Sequence, residues 1–154
     1  MTVRRWMRSG CAATLLTLGA TVAAQAQAPR VIAITATDAM KYSVTEITAK
    51  PGEKLTVKLS AQGAIPKVAM AHNFLLLALK TDPAAFANAG SQSRATDFIP
   101  AAMKAQVIAN TTLAGNGETV EVTFTAPKVP GAYTYICTFP AHFLAGMKGT
   151  LTVK

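Results

Sequence analysis

Residues Tyr133 to Val153 read Y-T-Y-I-C-T-F-P-A-H-F-L-A-G-M-K-G-T-L-T-V. The two ends of this stretch, Tyr133 to Cys137 and Gly149 to Val153, are rich in the aromatic and β-branched residues of short strands. The segment between them carries an imidazole and a thioether, His142 and Met147, and begins at the Cys137 thiol. A strand that ends on one donor, followed by a loop that returns two more before the next strand starts, describes a β protein arranged around a single metal ion. Thiolate, imidazole and thioether together suit copper better than any other common metal. A mononuclear centre of that kind holds copper with two imidazoles and one thiolate in a plane and a weak, long axial Met, so one histidine is still needed. The sequence contains only two, and the other is His72 in A-M-A-H-N-F-L-L-L, 65 residues before Cys137. One distant His plus a C-x4-H-x4-M loop therefore accounts for every histidine in the chain.

Taken singly, each donor has a plainer explanation. A lone His72 on an apolar strand reads as a satisfied core histidine, Met147 as core, and Cys137 as a buried thiol packing like a small hydrophobe. Four donors of the right types, with no histidine to spare, make the shared metal the more economical reading.

Working outward, the chain keeps the period of a β protein. Val31 to Thr37 is a β-branched run; Leu55, Val57 and Leu59 alternate with Thr56 and Lys58; Val120, Val122 and Phe124 alternate with Glu121 and Thr123. Pro51-Gly52, Gly115-Asn116-Gly117 and Pro130-Gly131 fall between such runs as turn signals. About seven or eight short strands at this spacing predict an all-β Greek-key sandwich. The exception is Asp82 to Lys104, rich in Ala with Phe86, Phe98 and Met103, which reads as a partly helical insertion between strands. No internal repeat or second domain is evident.

A length of 154 residues with 51% apolar content is enough for one core. Residues 1–28 place Arg4, Arg5 and Arg8 before an uncharged stretch from Gly10 to Ala24 and end in A-Q-A at Ala28, the layout of a cleaved secretory signal. The expected division is thus a signal peptide, 1–28, and a single domain, 29–154. The uncharged run is too short to span a bilayer, so no stable membrane insertion is expected. Removing residues 1–28 takes away three arginines and leaves 12 basic against 7 acidic residues, a net charge of about +5 rather than +8. It also removes Cys11, so an exported domain is left with one thiol and no internal disulfide. Metal ligation gives that lone thiol a reason to exist. The basic residues Lys41, Lys50, Lys54, Lys58 and Lys67 are scattered and lack aromatic interleaving, which reads as a solvated face and argues against nucleic-acid binding.

The residues that carry the metal reading also carry a family resemblance. M-A-H-N-F at Met70 to Phe74 and C-T-F-P-A-H with M-K-G-T-L-T-V at Cys137 to Val153 resemble the ligand segments of the cupredoxins, the type 1 blue-copper family, and most of all those of azurin. D-A-M-K-Y-S near Asp38, I-P-K-V-A-M-A-H-N from Ile65 and V-I-A-N-T-T-L-A-G-N-G-E from Val107 are similar to azurin segments as well. The spacing from His142 to Met147 is H-x4-M, that of plastocyanin and auracyanin, where azurin has H-x3-M. The resemblance implies one copper ion held by His72, Cys137, His142 and Met147. It implies a weak carbonyl contact from Ala71, which replaces a Gly, and hydrogen bonds from Asn73 and Thr138 that lock the two ligand segments together. It implies a non-enzymatic, monomeric periplasmic carrier of single electrons between redox proteins such as c-type cytochromes or copper or haem oxidoreductases. Docking is expected on an apolar rim around His142, formed by Ala141, Phe143, Leu144, Ile65, Ala69 and Met70. The alternative is a periplasmic copper-binding or copper-delivery protein with no electron-transfer role. Enzymes built from similar domains need further His-rich copper sites, for which no histidines remain.

Overall fold

Alternation makes the first sheet. In Lys54–Gln62 every second residue from Leu55 to Ala61 is buried, while Lys54 and Lys58 face solvent, as a strand with one face on a core must arrange them. The computed structural model describes residues 28–154; the expected signal segment, apart from Ala28, lies outside them, and so does Cys11.

Nine strands and one α-helix are present among the described residues: β1 (Arg30–Thr37), β2 (Lys41–Tyr42), β3 (Glu46–Ala49), β4 (Lys54–Gln62), β5 (Leu75–Leu77), α1 (Pro83–Ser91), β6 (Val107–Asn110), β7 (Thr119–Thr125), β8 (Gly131–Ile136) and β9 (Lys148–Val153). One sheet has the order β2-β1-β4-β7 and the other β3-β9-β8-β5-β6. The pairs β1/β4 and β3/β9 are parallel and the remaining pairs antiparallel, so the chain crosses repeatedly between sheets, as a Greek-key sandwich requires. Ile34, Leu55, Val57 and Leu59 from one sheet and Leu76, Tyr133, Tyr135 and Leu151 from the other fill the space between.

The second sheet is buried on both faces near its centre, which is why β5 is an unbroken L-L-L run. Leu75, Leu77 and Ile136 face away from the main core, and the insertion covers them with Phe86 of α1. That helix starts sharply because the Asp82 carboxylate accepts from the Ala84 and Ala85 amides at 2.8 and 3.2 Å, with Pro83 in the first turn. Two 3-10 turns, Arg94–Thr96 and Ala101–Gln106, complete the insertion.

Strand ends define two poles. The segments that follow β4 and β8 and precede β7 meet at one of them, and the short connections 50–53 and 126–130 lie at the other.

Candidate metal centre

Each ligand segment is fixed by its own backbone before any metal is considered. His72 lies between β4 and β5, where it forms a two-bond bridge with Ala114: its amide donates to Ala114 O at 2.9 Å and its carbonyl accepts from the Ala114 amide at 2.8 Å. Cys137 is the first residue beyond β8, and its amide donates to Met147 O at 3.2 Å. The Met147 amide donates to His142 O at 3.0 Å, and the His142 amide to Phe139 O at 3.1 Å. The loop is thus cross-braced, and its length is absorbed by a turn in which Ala141 and Gly146 take positive φ.

This arrangement brings the Cys137 sulfur and one nitrogen of each imidazole within 4.8 Å of one another. Cys137 Sγ is 3.4 Å from His142 Nδ1, and the two imidazole rings have centroids 4.9 Å apart. Metal–sulfur and metal–nitrogen bonds of about 2.3 and 2.0 Å place the donors around one ion at separations of this order. His72 Nδ1 is the buried side-chain nitrogen or oxygen atom left without a hydrogen-bond partner among the described residues. An unsatisfied buried polar atom costs on the order of 1–3 kcal/mol, and a coordinated ion removes that cost. Met147 is fully buried in the same core cluster as Cys137.

Asn73 and Thr138 join the two ligand segments reciprocally. Asn73 Nδ2 donates to Thr138 Oγ1 at 2.8 Å, and the Thr138 amide donates to Asn73 Oδ1 at 2.9 Å. A third tie was not foreseen from the sequence: the buried Tyr42 hydroxyl of β2 donates to the Asn73 carbonyl. The only signal for it was a tyrosine within the azurin-like D-A-M-K-Y-S segment. At the edge of the site the Asp38 carboxylate accepts from the Ala64 amide at 2.7 Å and the Ile65 amide at 3.2 Å, holding the approach to His72.

Burial sets the protonation states. It pushes the Cys137 thiol up to about 11, partly offset by the Asn73 and Phe139 amides. It pushes His142 down to about 4, helped by the neighbouring His72, and lowers His72 against the opposing pull of Asp38. At neutral pH both imidazoles are therefore uncharged, with lone pairs free for a metal, while the thiol still carries its proton.

One expectation about the rim changes, that for Phe143. His142 is not itself open to water, being 2% exposed with the Phe139 ring centroid 4.9 Å from its own. Phe143 turns inward, half-buried against Leu75, Leu77, Phe86 and Ile136, with Lys148 Nζ 5.3 Å from its ring centroid. The α1 flap offers Phe143 an apolar shelf, and burial there outweighs exposure. The rim that remains open is Ala141 and Leu144 from the loop, the latter 86% exposed, with Ile65, Val68 and Ala69 from the His72 side.

Residues 30–154 match the family described as copper binding proteins, plastocyanin/azurin family. The chain belongs to that family. The cluster of His72, Cys137 and His142 fits a type 1 copper site, and copper is the group that the family binds. Among relatives, the chain is similar to auracyanin-B of Chloroflexus aurantiacus, 35% identical over 136 residues, 88% of this chain and 56% of that protein. It thus spans little more than half of that relative's length. It is similar to azurin-2 of Alcaligenes xylosoxydans xylosoxydans, 42% identical over 118 residues, 74% of this chain and 89% of that one. Among solved structures, auracyanin A, a "blue" copper protein from Chloroflexus aurantiacus, superposes with a TM-score of 0.72 at 35% identity, covering 82% of this chain and all of that one. Like these neighbours, this cupredoxin is a mostly β protein of two sheets.

Proposed function

We propose that this cupredoxin carries single electrons between larger redox proteins in the periplasm, and that His72, Cys137 and His142 would hold one type 1 copper, with Met147 and the Ala71 carbonyl as further, weaker contacts. Bound copper supplies the one-electron couple between Cu(I) and Cu(II). The observation that carries the reading is the brace described above. Ligand segments 65 residues apart are tied by the Asn73–Thr138 pair, through bonds that involve none of the donor side chains. A frame set by the fold, rather than by the ion, keeps ligand movement small when the ion changes charge, which favours rapid transfer.

The remaining parts follow from this frame. Cys137 and Met147 close the deep side, while a thin apolar shell around Ala141 and Leu144 separates His142 from solvent and serves as the exit. With apolar residues at its centre and the Lys41 ammonium held on the neighbouring Ala145 carbonyl, that rim suits brief, weak docking of c-type cytochromes or copper or haem oxidoreductases by a monomer. The protein makes no bond in a substrate. Copper delivery would call for ligands that reach the surface, and His72, Cys137 and His142 are all buried. In the same reading residues 1–28 are the cleaved signal and residues 29–154 the single exported domain.

Absorption and EPR spectra of the copper-loaded protein test this assignment. An intense thiolate-to-copper band with narrow copper hyperfine splitting is expected, and a colourless Cu(II) form would overturn it.

A further inference from the structure

Two of the lysines that looked scattered along the sequence, Lys50 and Lys54, meet other cations at the pole far from the metal. Arg30, Lys50 and Lys54 line one open basin of about 530 Å³ together with Ala28, Gly52 and Glu53. Lys154 adjoins it, since its amide donates to Ala49 O at 3.0 Å. The turn bearing Lys128 is tied to the same place, because the Gly52 amide donates to Ala126 O at 3.2 Å and the Ala126 amide to Glu53 O at 2.8 Å. Glu53 is the carboxylate these segments contain, and it is engaged by Arg30 Nε at 2.6 Å and the Lys50 amide at 2.8 Å. Among side chains, five cations stand against this one carboxylate, which puts most of the side-chain net charge of residues 28–154 here, with the C-terminal carboxylate of Lys154 offsetting one of them. Val31 and Val129, 60% and 61% exposed, stand among those cations. At the metal pole, by contrast, Lys67 is paired with Glu118 at 2.6 Å.

We propose that this pole is a docking surface for an anionic phospholipid membrane, which holds the metal-bearing pole outward. Unmatched lysines beside exposed aliphatic side chains are what a headgroup layer with an acyl boundary beneath it would take up. The cations are spread over the start of β1, two connections and the C-terminus around an open basin, which suits an extended partner better than a small anion. The six residues of β8 separate this pole from Cys137, about 20 Å at a strand's rise. That exceeds the screening length of about 8 Å at physiological salt, so membrane docking leaves the rim around Leu144 free.

Co-sedimentation of the copper-loaded protein with lipid vesicles tests the proposal without reference to electron transfer. Binding is expected to vesicles containing phosphatidylglycerol and not to pure phosphatidylcholine, and to weaken as salt is added. Lys50→Gln, Lys54→Gln and Lys128→Gln combined should lower the affinity on the order of 100-fold, at about fivefold per cation. Lys67→Gln, at the metal pole, should leave it unchanged. Equal binding to both vesicle types, undiminished binding of the triple variant, or no binding at low salt would each overturn the proposal, and the last would point to an acidic protein instead.

Discussion

At the residue scale, the informative side chain is Asn73, which spends both ends of its amide on Thr138 and its carbonyl on Tyr42. Truncating it leaves buried partners unsatisfied as well as removing two bonds. Asn73→Ala should therefore destabilise the metal-free protein by about 2–4 kcal/mol, read as a lowered denaturant midpoint at unchanged slope. An unaltered midpoint would mean that the ligand segments hold together without this tie. The protonation states give a second expectation. With the imidazoles already neutral and the Cys137 thiol raised to about 11, loading a divalent metal at pH 7 should release close to one proton per ion. Proton uptake or release measured in weakly buffered solution decides this. Release near zero would show that the thiol is not the donor, or is ionised beforehand.

At the element scale, the unit that matters is β8, the ligand loop and β9. Six consecutive pairs from Gly131–Val153 to Ile136–Lys148 hold the two strands in register, which fixes where Cys137 and Met147 emerge. Gly149 lets the strands pass, because a Cβ there would lie 2.2 Å from Tyr135 Cζ and 2.6 Å from the Thr45 carbonyl. Neither neighbour can yield freely, as the Tyr135 hydroxyl donates to Val44 O at 2.7 Å. Gly149→Ala should cost about 1–3 kcal/mol and lower the melting temperature, with the visible band retained if the loop keeps its braces. Melting indistinguishable from wild type would show that the β8/β9 pairing is looser than its register implies. The α1 flap explains why Phe143 is not the residue with which to probe docking: a lysine there would put an ammonium against Leu75, Leu77 and Phe86.

At the scale of the whole molecule, the two poles carry different surfaces. The metal pole shows exposed aliphatic side chains, Ile65, Val68 and Leu144, with the Lys41 ammonium donating to the Ala145 carbonyl beside Leu144. Leu144→Lys should leave the spectrum and midpoint potential nearly unchanged while slowing electron self-exchange. Two like-charged rims must then meet, at a cost on the order of 1 kcal/mol that shrinks with added salt. NMR line broadening in mixed Cu(I)/Cu(II) samples measures that rate. No slowing would mean that electrons leave elsewhere, and would move weight toward copper handling.

Residue chemistry and local period were enough to reach the candidate donors and the kind of fold. Two histidines, one thiol outside the signal-like segment and a nearby methionine leave few ways to build a metal site, and alternation over Leu55 to Leu59 or Val120 to Phe124 states which face is buried without reference to any partner. The insertion over 82–104 was legible for the same reason, since alanine-rich composition is a local signal. What depended on tertiary structure is every pairing between distant segments. Tyr42 reaches Asn73 across 31 residues, and Asn73 reaches Thr138 across 65. Phe143 chose the shelf beneath α1 over the rim because the insertion folds back on β5 and β8. Lys50, Lys54, Lys128 and Lys154 became one basic surface because strand register and two short connections set their neighbours. Sequence spacing carries no information about such meetings, which are decided by which strand lies beside which and by how far each is displaced along it.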